Sequence, residues 1–87
     1  MFSSMQTTNP SAAWVLIQPE LLKIAAVGKI PGHTLQNLLG IYCRGAKAAK
    51  DTVHWMLNEG MLIAHHEEIP TSYTLTEKGR ASSPASN

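Results

Sequence analysis

Apolar residues recur at helical spacing in several stretches of the chain and alternate with polar residues near its end. Residues 12–18 form a short apolar run with Trp14, Val15, Leu16 and Ile17. Seven residues are too few for periodicity to separate a strand from a first helical turn. Pro19 suits the first position of a new helix, with Glu20 at its positive end, and Leu21, Leu22, Ile24 and Ala25 supply a stripe at helical spacing. Gly28 is placed to cap that helix, and residues 30–32 (Ile-Pro-Gly) break the chain. Thr34 caps a second helix, with Leu35, Leu38 and Leu39 at i, i+3 and i+4, that ends near Gly40 or Ile41. Residues 42–45 read as a turn, and residues 46–59 as the longest helix-compatible stretch, rich in alanine and ended by Gly60. Residues 61–66 read as a strand, 67–72 as a connection and 73–76 as the returning strand of a hairpin. Residues 77–80 start a last helical turn capped by Thr76. Residues 1–11 read as a flexible arm and 81–87 as a disordered tail, which leaves a folded domain over residues 12–80.

A short helix, a tight turn and a longer helix joined to a hairpin resembles the winged helix-turn-helix family. Residues 34–40 (TLQNLLG) are similar to the first helix of that motif. Asn58, Glu59, Gly60, Met61 and Leu62 resemble the end of its recognition helix, where a glycine releases the chain into the wing. Residues 73–80 (YTLTEKGR) resemble the second wing strand and exit of MarR-like and PadR-like bacterial regulators. The likeness covers residues 19–80, although the stretch between Gly40 and Gly60 is a few residues longer than the family pattern. It implies an α+β fold, a three-helix bundle with a C-terminal two-stranded β-hairpin wing. It also implies sequence-specific binding of double-stranded DNA, with the third helix in the major groove, by a small bacterial or phage transcriptional regulator.

On a wheel at about 100° per residue, Ala46, Ala49, Val53, Met56 and Leu57 share one sector, the expected core face. Arg44, Lys47, Asp51, His54 and Asn58 fall opposite, with Lys50 at the edge. Arg and Lys reach guanine O6 and N7, Asn pairs with adenine, and a carboxylate accepts from cytosine N4. The amino-terminal part of the motif's second helix enters the groove. The expected DNA-binding set is therefore Arg44, Lys47, Lys50, Asp51, His54 and Thr34. The net charge is only +1, so the whole molecule is no general polyanion binder, but three of its seven cations lie within residues 44–50. The plainer description of the same residues is the solvated face of an amphipathic helix. The wing connection carries Glu67 and Glu68 where many wings carry Arg or Lys. It is expected to face away, to meet a partner protein, or to offer Thr71 and Ser72 as neutral donors to phosphate.

Trp55 sits at the border of the outward face and needs a cover. The candidates are the wing, the N-terminal segment around Trp14, or a subunit interface through Trp14 and Trp55. A homodimer would double the phosphate contacts and match a palindromic site. The single cysteine, Cys43, excludes an intramolecular disulfide and agrees with a reducing cytoplasm. It reads either as a small semi-buried hydrophobe or as a thiol activated by Arg44. His65 and His66 point to opposite faces of a strand, and with His33 and Cys43 they show no metal-ligand spacing, so neither metal nor cofactor is expected. Gly28-Lys29 lacks P-loop spacing, and no paired carboxylates or Ser-His-Asp order can be placed, so the protein is not expected to be an enzyme. No apolar run reaches membrane-spanning length and none follows a charged start, so no membrane is expected and the location is read as cytoplasmic. The 87 residues, 44% hydrophobic and 15% charged, allow one small core and exclude charge-driven disorder. The alternative function is a winged-helix module that binds a regulatory protein and no DNA, favoured by the acidic wing, the small net charge and the two tryptophans. RNA or single-strand binding lacks stacked aromatics on a sheet.

Overall fold

Asn9 starts the fold. In the computed structural model, which describes residues 6–81, its side-chain oxygen accepts from the N–H groups of Ser11 (2.9 Å) and Ala12 (3.3 Å). These are two of the donors that a helix start leaves without partners, and Pro10 fills the first helical position, where no N–H is needed. Helix α1 then runs over Pro10–Ala25 without interruption. This corrects two expectations: residues 12–18 are not a separate element, and Pro19 lies inside a helix. Ala13, Trp14, Ile17, Gln18 and Leu21 are buried along one stripe that passes Pro19, while the proline ring is exposed. Packing along that stripe outweighs the hydrogen bond that Pro19 removes. The flexible arm is corrected as well. Thr7 forms a parallel one-residue bridge with Cys43, donating its N–H to Tyr42 O (2.9 Å) and accepting at its carbonyl from Arg44 N–H (2.9 Å). Residues 1–5 of that arm, and residues 82–87 of the expected tail, lie outside the described residues.

Strand β1 is Ile30–Pro31, and helix α2 follows as Gly32–Tyr42. The residue before α2 is Pro31, with no side-chain cap bond, so Thr34 lies inside the helix and is not its cap. Helix α3 is Ala46–Asn58, and Gly60 with φ +78° turns the chain out of it. Its buried residues are Ala48, Thr52 and Met56, four apart, flanked by half-buried Ala49, Val53 and Leu57. Ala46 is exposed, which corrects the expected core face. The polar Thr52 can occupy the core because its hydroxyl donates to Ala48 O (2.7 Å) and accepts from Cys43 Sγ (3.4 Å).

Strands β2 (Leu62–His65) and β3 (Ser72–Leu75) form the expected hairpin, with Leu62 opposite Leu75 and His65 opposite Ser72. The two-stranded wing is nevertheless corrected. Ile30 and Pro31 pair with Tyr73 and Ser72, which gives a three-stranded antiparallel sheet in the order β1-β3-β2. Pro31 is tolerated because it stands on an edge strand, and Gly32 N–H extends the pairing to Thr71 O at 3.0 Å. Helix α4 (Glu77–Ala81) is the last element of the described residues. Thr76 Oγ1 accepts from Gly79 N–H (3.0 Å), as the expected cap, and the buried Gln18 donates from Nε2 to the carbonyls of Gly79 (3.3 Å) and Arg80 (3.4 Å). The described residues thus form a small α+β domain of four helices and one three-stranded sheet. Its core centres on Ile17, Leu21, Ile30, Leu35, Leu39 and Met56. No helix among the described residues is long and apolar enough to cross a membrane.

Candidate nucleic-acid interface

Packing of Ala48, Thr52 and Met56 into the core rolls the opposite side of α3 outward. Arg44, Lys47, Lys50, Asp51, His54 and Asn58 are all exposed. At about 1.5 Å rise per residue the α3 positions from Lys47 to His54 span roughly 10 Å, within the roughly 12 Å width of a major groove. Lys47 Nζ lies 2.9 Å from Asp51 Oδ2, a pair one helical turn apart, with the two side chains 89% and 50% exposed. So exposed a pair contributes little stability, but it means that Asp51 accompanies a lysine and does not face phosphate alone. Among the described residues, Arg44 and Lys50 make no ion pair. Thr8, Arg44, Lys47, Ala48 and Asp51 line an open concavity of about 380 Å³ beside the start of α3. Thr34 is half-buried in the first turn of α2 and is not among the residues lining it.

Of the two carboxylates in the hairpin connection, Glu67 stays exposed and Glu68 is paired. The Glu68 carboxylate accepts from the Lys29 ammonium and from the Ser72 hydroxyl, and these two bonds, the first above all, hold its carboxyl below the usual glutamate range. Ser72 is buried and already committed to Glu68, so it is not the free phosphate donor expected of it. Thr71 is half-buried, and its carbonyl is taken by Gly32. His65 bonds Thr74 Oγ1 through Nε2 (2.9 Å) and lies 3.5 Å from Glu67 through Nδ1. The hairpin tip is apolar at Ile69, which is 96% exposed.

Trp14 is corrected as an interface residue, because it is only 3% exposed within the single chain. Its ring packs on that of the half-buried Trp55, with centroids 6.5 Å apart and planes tilted by 51°, so the N-terminal helix supplies the cover that Trp55 requires. Cys43 is fully buried, with its thiol donating to Thr52, which corrects the reading of a thiol presented beside Arg44. No group of three or more His, Cys, Asp or Glu among the described residues is placed to hold a metal ion.

Three contributors escaped the sequence reading: Thr8 in the concavity, Lys29 as the partner of Glu68, and Gln18 under α4. Lys29 and Glu68 stand 39 residues apart, and only strand register relates them. Comparison of the chain with protein-family models, with curated proteins and with solved structures gives no match.

Proposed function

We propose that the protein is a sequence-specific double-stranded DNA-binding domain of winged-helix type, a small transcriptional regulator of a bacterial or phage-programmed cytoplasm, with α3 as its major-groove reader. One observation carries the reading: Lys47, Lys50, Asp51 and His54 share an exposed face of α3, whose other face is anchored in the core, and Arg44 is exposed in the turn just before it. The order of three helices followed by a hairpin supports it, although the hairpin is joined by a third strand that the two-stranded wing of the expected pattern lacks. The Lys29–Glu68 pair supports it further by removing one uncompensated carboxylate from the wing. Self-association would have to proceed without Trp14 as a contact. Binding of a short duplex, followed by fluorescence anisotropy over a range of salt, tests the proposal. Lys47→Ala with Lys50→Ala is expected to weaken affinity at least tenfold at low salt and to reduce the log–log salt slope by about two. Unchanged affinity in that double variant rules out α3 as the reader.

A second reading, a protein-binding module, is favoured by the exposed Ile69 at the hairpin tip and by Ile63, 51% exposed on β2. Recovery of a defined protein partner, with no duplex binding even at low salt, selects it.

A further inference from the structure

Thr8 is held more firmly than a residue near a chain terminus usually is. Thr7, before it, is bonded through its N–H to Tyr42 and through its carbonyl to Arg44. Asn9, after it, caps α1 and donates its own N–H to Thr7 Oγ1 at 3.0 Å. Thr8 is therefore suspended between two fixed neighbours, and the bond that fixes Thr7 is made to the backbone of Arg44 itself. One strut thus sets both the threonine and the arginine at the entrance of α3. Thr8 is exposed and lines the concavity that Arg44, Lys47 and Asp51 also line, with the small, buried Ala48 among them. Lys47 is drawn onto Asp51, whereas Arg44 has no ion pair among the described residues. A hydroxyl donor, a guanidinium unpaired among the described residues and an ammonium that offsets the Asp51 carboxylate surround a concavity open to solvent, a set that matches a phosphodiester of the DNA backbone.

We propose that Thr8, with Arg44 and Lys47, holds a backbone phosphate of the duplex flanking the bases read by α3, so that the N-terminal segment forms part of the DNA interface. This rests on the DNA-binding reading of α3 and assigns the element that sets its register. The contact from Thr8 is neutral and that from Arg44 is charged, and this difference separates their effects.

The test uses the full chain and a duplex of about 20 base pairs, which spans roughly two helical turns, with anisotropy measured at several salt concentrations. Thr8→Ala is expected to weaken binding about three- to tenfold with an unchanged salt slope. Arg44→Ala is expected to lose about tenfold or more at low salt and to lower the slope by about one. Thermal melting of Thr8→Ala should match that of the parent, since the side chain is exposed. If Thr8→Ala binds like the parent while the Lys47 and Lys50 double variant is weakened, the phosphate assignment is overturned and the reading of α3 stands. If the parent protein binds no duplex at low salt, the reading of α3 fails and the assignment with it. In an NMR titration the amides of Thr8 and Arg44 should move with duplex and stay still with millimolar inorganic phosphate. An equal saturable response to inorganic phosphate would make the concavity a small-anion site and overturn the assignment to DNA.

Discussion

Gly40 and Gly79 both lie in helices, and their surroundings give one substitution opposite outcomes. A Cβ on Gly79 would press on the carbonyl oxygen of Met61, well inside contact distance, and stand 3.1 Å from Leu75 Cδ2. Backbone cannot retreat as a side-chain tip can, so Gly79→Ala is expected to destabilise by about 2 kcal/mol or more. Gly40 faces open space, so Gly40→Ala should stabilise by about 0.5–1 kcal/mol through the reduced freedom of the unfolded chain. Urea unfolding of the two variants against the parent checks both signs. At this scale the sequence was legible where chemistry is local. Thr76 caps α4 as its position suggested, because a cap involves only residues a few positions away. Thr52 was not legible: a threonine reads as polar until Cys43 and Ala48 are seen to satisfy its hydroxyl.

Helix α1 shows how burial along an element overrides a local breaker. Its 16 residues, about 24 Å of helix, keep one stripe in the core on both sides of Pro19. Pro19→Ala would return a donor for the carbonyl of Val15 and remove the ring from the preceding turn. The expected gain is about 1–3 kcal/mol, seen as a higher midpoint in thermal melting. A lower midpoint would mean that the proline ring is needed for the fit of α1. The hairpin offers a second prediction. With the Glu68 carboxyl held below its unfolded value by Lys29 and Ser72, its contribution is present above the ordinary glutamate range. That contribution is lost as pH falls through the lowered folded value. In Glu68→Gln the fall of stability below about pH 4.3 should therefore be shallower than in the parent. Equal acid slopes would show that the contact does not persist in solution. β1 was missed at this scale because two residues, one of them proline, carry no strand period. Only the free edge of β3 makes them a strand.

In the whole molecule, a single core joins the helices to the sheet, and Cys43 lies within it beside the turn that leads into α3. A thiol reagent in excess should therefore modify Cys43 at the rate of unfolding, and a duplex that binds should slow the reaction further. Immediate stoichiometric labelling of the native protein would show that this turn opens locally. The candidate site divides in the same way. The exposed row on α3 was visible in advance, since a helix whose apolar residues occupy one side must turn its Lys, Asp and His to the other. Its neighbours were not visible. Thr8 reaches the row through a bridge between Thr7 and Cys43, 36 positions along the chain, and one of the two hairpin carboxylates, Glu68, is paired with Lys29 from the loop before β1.

Periodicity and turn residues were enough to place α2 (though not its cap), α3, the β2–β3 hairpin and the outward face of α3, because each depends on interactions within a few residues. The continuity of α1, the third strand, the burial of Trp14 and Cys43, and the partners of Glu68 and Thr8 were settled only when distant segments met. These features depend on what covers a residue from elsewhere in the chain, and no local pattern carries that information.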